Sequence, residues 1–181
     1  MIEVEKKFQP TVDQIKALTS GAEFMGAVVL EDTYYDYSDY RLLKKGVRLR
    51  NRNGEFELKI GKSNGVAEEI ETDEEIQQYF STSKSLNEFI DSELEPIIRY
   101  KTERQKYQKE GFSIDIDKLD FGFSVCEVEL LVNTEEEIRV AEERILNFVT
   151  QYNLEIKDLP SKRGEYLRLF KSEVYKEIYG K

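Results

Sequence analysis

Two glutamates and a lysine alternate with other residues in Glu3-Val4-Glu5-Lys6-Lys7, and the same device returns in Arg48-Leu49-Arg50, Glu57-Leu58-Lys59, Asp115-Ile116-Asp117 and Glu127-Val128-Glu129. Side chains on a β-strand repeat every two residues, so each block puts charge on one face and apolar groups on the other. One such strand alone reads as half-buried with a solvated face; the recurrence asks for more. Glutamates and an aspartate without His or Cys form an all-oxygen donor set, which suits a hard cation such as Mg²⁺ or Mn²⁺. Arginines and lysines suit phosphate oxygens. A fold that gathered both sets would be equipped for phosphoryl transfer from a polyphosphate.

The composition narrows the field. The chain has 181 residues, 39% of them hydrophobic, which suits one domain over residues 1–181 with a sizeable core. Charged residues make up 35%, above the roughly 25% of an average globular protein, so charge must occupy more than an ordinary outer surface. A net charge of −10 argues against nucleic acid or an anionic membrane as partner. The absence of His excludes histidine-based triads and imidazole metal sites. A single cysteine, Cys126, cannot form an internal disulfide, and no apolar run approaches a membrane span or signal segment, so a soluble, cytoplasmic protein is expected. A monomer is expected too, though neither feature determines it.

The elements that must position these charges are legible in outline. Thr11 with Gln14, Thr72 with Glu75 and Thr134 with Glu137 have capping-box spacing and open helices. The second runs through Ile76, Tyr79 and Phe80 to Leu86, Phe89 and Ile90; a fourth helix follows Pro160-Ser161 from about Lys162. Strands are expected over Ala27–Leu30 running into Asp32–Asp36, Ile97–Gln108, Phe112–Lys118 and Phe123–Val132, with a polar connection from Tyr37 to Gly46. Cys126 falls on the face away from Glu127 and Glu129 and is predicted to be a packed apolar group.

Val47–Arg52 and Glu55–Ile60 flank Asn53-Gly54, the signature of a two-residue hairpin. That register sets Arg52 opposite Glu55, Arg50 opposite Glu57 and Arg48 opposite Lys59. Like charges directly opposite are unfavourable, so the last pair makes sense only with an anion between them. Asp117 and Arg52 read as peripheral pairing charges. A loop from Gly61 to Gly65 and a strand from Val66 to Glu71 should follow; Gly61-Lys62-Ser63 is not a P-loop, because Phe56 stands where that motif needs its first glycine.

About eight strands and four amphipathic helices leave two arrangements. A sandwich accounts for the alternation but leaves the helix stripes without an apolar partner. The alternative is an α+β fold in which a closed eight-stranded antiparallel β-barrel turns its apolar face outward under flanking helices. Its interior would carry Glu3, Glu5, Lys7, Arg48, Arg50, Lys59, Asp115, Glu127 and Glu129. Such an interior must be wet, cross-paired and occupied by ions, because dry unpaired charges cost several kcal/mol each.

These blocks, together with Asp32-Thr33-Tyr34-Tyr35-Asp36 and Asp120-Phe121-Gly122, resemble in order and spacing the CYTH domain of the triphosphate tunnel metalloenzymes, whose signature is Glu-x-Glu-x-Lys. The resemblance extends over nearly the whole chain and leans toward the thiamine triphosphatases. It implies an eight-stranded tunnel and hydrolysis of a small-molecule triphosphate with Mg²⁺ or Mn²⁺. Thiamine triphosphate is the expected substrate. The open alternatives are an inorganic triphosphatase and a non-catalytic polyphosphate- or nucleotide-binding module.

By position, the resemblance implies that Glu3, Glu5, Asp115, Glu127 and Glu129 bind metal. Lys7, Arg48, Arg50, Lys59, Arg104 and Lys162 would bind the triphosphate, with Lys59, Glu5 and Lys7 as the catalytic group and Glu69 as a further tunnel acid. Thiamine-specific members are expected to carry an aromatic ring near the Leu-Arg-x-Arg strand. Here Gly46-Val47 stand in that place and the chain has no Trp, so Tyr37 or Tyr40 is the candidate for cation–π stacking.

Overall fold

The alternating blocks become strands of one antiparallel sheet. Its strands are β1 (Ile2–Phe8), β2 (Glu23–Asp36), β3 (Val47–Arg52), β4 (Glu55–Gly61), β5 (Ala67–Ile70), β6 (Glu95–Lys109), β7 (Phe112–Leu119) and β8 (Ser124–Val132). The hydrogen-bonded order is β1-β8-β7-β6-β2-β3-β4-β5, an open order with β1 and β5 at its edges among the described residues, where the sequence reading expected a closed barrel. Seven α-helices are described: α1 (Val12–Thr19), α2 (Arg41–Lys44), α3 (Asp73–Phe80), α4 (Leu86–Glu93), α5 (Ile138–Thr150), α6 (Lys162–Phe170) and α7 (Ser172–Tyr179). The computed structural model describes residues 2–61, 67–155, 157 and 159–180, and these fall into two compact units. The Gly61–Gly65 loop expected from the sequence and the first residue of the strand after it lie, from Lys62 to Val66, outside the described residues.

The first unit comprises residues 1–29 and 102–160. Val4 and Phe8 of β1 join Ile114, Ile116, Cys126, Val128 and Leu130 in an apolar layer that packs against Ala141, Ile145, Phe148 and Val149 of α5. Each large side chain fully buried here contributes about 1.5–3 kcal/mol. Leu18 of α1 enters the same cluster, and α1 is opened by the expected capping box, with Gln14 N donating to Thr11 Oγ1 and Thr11 N to Gln14 Oε1. The helices therefore cover the apolar face of these strands. Glu3, Glu5, Lys7, Asp115, Glu127 and Glu129 are left on the other face by the strand period.

The second unit comprises residues 30–101 and 161–181. Val47, Leu49 and Leu58 meet Ile76 of α3 and Leu86, Phe89 and Ile90 of α4 in its core. The hairpin turns through Asn53 and Gly54 at φ 53° and 99°, the left-handed region that a two-residue turn of this type demands.

Three local features differ from the sequence reading. The single helix expected from about Lys162 is broken at Lys171, which leaves the helical region at φ −142° and ψ 57°, and gives α6 and α7. The stretch after Thr72 is two helices, since Ser81 takes a left-handed conformation and Ser85 starts α4 with a capping box of its own. The connection after Tyr37 contains α2, which buries Leu42 and Leu43. The Asp36 carboxylate accepts hydrogen bonds from the backbone N–H groups of both, at 2.9 Å each, and so satisfies donors that a short helix leaves open.

Candidate functional site

On the charged face of the first unit the register sets like charges together at two places, Glu5 opposite Glu129 and Asp115 opposite Glu127. Lys7 stands opposite Glu127 from the other side as a counter-charge. One carboxylate oxygen from each of Glu3, Glu5 and Glu129 lies within 4.8 Å of the others. Burial, then the charges of Glu3 and Asp115, push the Glu129 carboxyl up to about 7 against the attraction of Arg104. Three carboxylates brought this close form an all-oxygen donor set that fits a hard divalent cation, even with Lys7 bonded to Glu5.

A consequence can be measured on the metal-free protein. The folded state holds the Glu129 proton more tightly than the unfolded chain, whose carboxyl titrates near the usual 4.5. The stability this contributes is complete at low pH and is lost as pH rises through about 7. In EDTA the thermal midpoint is expected to fall between pH 5 and 8, with a smaller fall in Glu129→Gln. A midpoint equally flat in both proteins would contradict the placement of Glu129.

Asp115 and Glu127 are not part of this trio. Both are held by Arg104, whose guanidinium forms ion pairs with Asp115, with Asp117 at 2.7 Å and with Glu127 at 2.8 Å. Burial works against its charge, yet the Asp117 hydrogen bond and the three carboxylates hold its pKa above the ordinary value. Asp117, read from sequence as peripheral, is fully buried, because both of its oxygens take hydrogen bonds from Arg104 at 2.8 and 2.7 Å. Lys7 is bonded to Glu5 and lies 3.6 Å from Glu127. Burial opposes its charge, but Glu5 and Glu127 outweigh that and raise its pKa.

On the charged face of the second unit the hairpin has the expected register, with Arg48 opposite Lys59, Arg50 opposite Glu57 and Arg52 opposite Glu55. Arg50 bonds Glu57 at 2.7 Å, and Arg52 makes a two-pronged pair with Asp32 at 2.7 and 2.9 Å. Lys59 is 2.5 Å from Glu69 and 3.5 Å from Glu57. Arg48 differs from them all. Among the described residues no carboxylate pairs with it, its Nε is buried without a hydrogen-bond partner, and burial followed by the charge of Arg163 lowers its pKa.

Arg163 went unrecognised in the sequence. It follows Lys162 in the first turn of α6, and no periodic signal tells which of two adjacent cations such a short helix presents inward. Lys162 is half-buried and has interactions of its own. The two tyrosines considered for stacking already hold cations: Arg41 lies 3.7 Å from the Tyr37 ring centre, and Lys171 lies 5.5 Å from that of Tyr40.

A sheet with an all-oxygen acid trio in one unit and an unpaired guanidinium on a basic face in the other places the chain in a known class. Residues 1–161 match the CYTH domain, and the chain belongs to that family. It is 25% identical to the thiamine-triphosphatases of Homo sapiens and Macaca fascicularis, over 98% of this chain and 89% of each of theirs. Its fold is shared with a protein from Pyrococcus horikoshii OT3, at 23% identity and a TM-score of 0.66 over 93% of this chain and 99% of that one. It is likewise shared with a Hippeastrum protein described as having a dominant triphosphatase activity, at 19% identity and a TM-score of 0.60 over 95% of each chain. No helix among the described residues is long and apolar enough to cross a membrane.

Proposed function

We propose that this chain is a divalent-metal-dependent triphosphate hydrolase that releases the terminal phosphate of thiamine triphosphate. This reading rests on the close carboxylates of Glu3, Glu5 and Glu129 on a CYTH sheet. The relatives named thiamine-triphosphatase over 98% of the chain support the choice of substrate. On this reading both units act as one domain, the sheet forms the wall of a triphosphate tunnel, and the protein works as a cytoplasmic monomer without nucleic-acid or membrane partners.

Glu3, Glu5 and Glu129 would hold Mg²⁺, or Mn²⁺, with Asp115 and Glu127 as further oxygen donors. A bound cation of this kind supplies charge neutralisation at phosphate oxygens and a more acidic water. The chain's own part is electrostatic. Arg48, Arg50, Lys59, Arg104, Lys162 and Lys7 bind the phosphate oxygens and stabilise the charge that shifts as the terminal group leaves. Glu69 and Glu57 orient the Lys59 ammonium, while Glu5 and Glu127 keep Lys7 protonated.

Lys59→Ala is therefore expected to lower turnover roughly 100-fold or more. It should cost little stability, because the Lys59–Glu69 pair is partly exposed. Phosphate release and urea unfolding measured on one preparation check this. A variant that folds and hydrolyses normally would remove Lys59 from the catalytic group.

The prior engagement of Tyr37 and Tyr40 favours a second reading, hydrolysis of inorganic tripolyphosphate, which needs no ring to stack on an organic group. Comparing kcat/KM for thiamine triphosphate, tripolyphosphate and ATP in Mg²⁺ separates the two. A clear preference for thiamine triphosphate supports the first, and equal or better use of tripolyphosphate replaces it with the second.

A further inference from the structure

The other basic side chains on the β3–β4 face have acid partners: Arg50 has Glu57, Arg52 has Asp32 and Lys59 has Glu69. Arg48 has none among the described residues, although acids outnumber bases 37 to 27 in the chain. Arg163 is in the same position. Its described contact is a long hydrogen bond, 3.4 Å, donated by Nη2 to the Tyr179 hydroxyl, and its Nε is buried without a partner.

The fold brings α6 to this face through a chain of rings within the second unit. Tyr166 of α6 packs on Tyr100 with ring centres 6.2 Å apart, and the Tyr100 and Tyr34 hydroxyls are 3.1 Å from each other. Tyr34 stands opposite Arg50, two residues from Arg48 and on the same face. Two buried guanidinium nitrogens without acceptors carry a desolvation cost that an acceptor would relieve. An anion answers both costs, since a neutral acceptor would leave the repulsion between the two cations in place. A tetrahedral oxyanion with several oxygens suits two planar forks at once.

We propose that Arg163 joins Arg48 in a two-guanidinium seat for one phosphoryl group of the substrate, and so is a substrate-binding residue. The inference rests on the triphosphate reading above and adds to it a residue that neither the blocks of alternating charge nor the family resemblance marked. It also explains why the hairpin tolerates Arg48 opposite Lys59. Lys59 is compensated by protein acids, whereas Arg48 waits for the ligand.

The test compares wild type, Arg163→Leu and Arg163→Lys. Two quantities are read: the apparent affinity for tripolyphosphate, from the rise in thermal midpoint it produces in EDTA and in Mg²⁺, and KM with kcat for the best substrate. Arg163→Leu is expected to weaken affinity and raise KM about 10- to 100-fold, with a smaller change in kcat. Without anion its midpoint should not fall below that of wild type, because repulsion has been removed. Arg163→Lys should recover part of the affinity.

Equal affinity and KM in wild type and Arg163→Leu overturn the inference and leave the triphosphate reading standing. No binding and no hydrolysis by wild type overturn both. If Arg163→Leu fails to fold, Arg163→Gln, which keeps a donor for Tyr179, carries the same comparison and the same two outcomes.

Discussion

Arg104→Leu is expected to be the most destabilising single change on the charged faces. Asp115, Asp117 and Glu127 are 1%, 0% and 6% exposed, and Arg104 pairs with all three. Removing it strands buried carboxylates, and breaking a buried pair from one side costs about 3–5 kcal/mol. Set against a total stability of about 5–15 kcal/mol, that is a large fraction.

Urea unfolding at pH 7 is the measurement. Arg104→Lys should fall between wild type and Arg104→Leu, because a single ammonium cannot reproduce the forked contact with Asp117. The loss should shrink toward pH 4, where the stranded carboxyls can protonate. A loss below about 1 kcal/mol at pH 7, the level of an exposed pair, would show that the network is not what holds this face.

Glu129→Gln is expected to have the largest effect on activity with the smallest cost in stability. It removes one oxygen donor of the trio, and losing a preorganised electrostatic group at a phosphoryl site typically costs roughly 10²–10³ in turnover. The same carboxyl is raised to about 7 by burial and by Glu3, Asp115 and Glu5, so ionising it in the metal-free fold is unfavourable. At pH 8 in EDTA the variant should be no less stable than wild type, and added Mg²⁺ should raise the midpoint of wild type alone. Phosphate release per folded molecule and thermal midpoints with and without Mg²⁺ check both halves. A folded variant with normal turnover would exclude Glu129 from the metal site.

Sequence was informative where the determining chemistry is local. Asn53-Gly54 sets the hairpin register by its backbone preference, so which residues stand opposite each other, including Arg48 and Lys59, was legible. The ion pairs of Arg52 with Asp32 and Lys59 with Glu69, by contrast, come from neighbouring strands. The Thr11 cap depends on residues three apart and was equally readable. Alternation named the charged faces, since a strand has only two.

Partner choice between distant strands was not readable. Nothing local says that Arg104 on β6 takes Asp115 and Glu127, which leaves Glu3, Glu5 and Glu129 as the trio. The α2 helix escaped notice because its cap, Asp36, acts from six and seven residues away. Arg163 escaped because a choice between adjacent cations depends on how α6 is rotated, which the Tyr166–Tyr100 packing decides.

On the proposed function, the acids of β1 and β8 hold a divalent cation needed to hydrolyse a triphosphate. The most direct measurement is phosphate release by the wild-type protein from thiamine triphosphate and from tripolyphosphate, each in Mg²⁺, in Mn²⁺ and after EDTA. Turnover of at least one of them is expected with metal, lost in EDTA and restored on adding Mg²⁺ back. Turnover undiminished by EDTA, or tight binding of both compounds with no turnover in either metal, would contradict it.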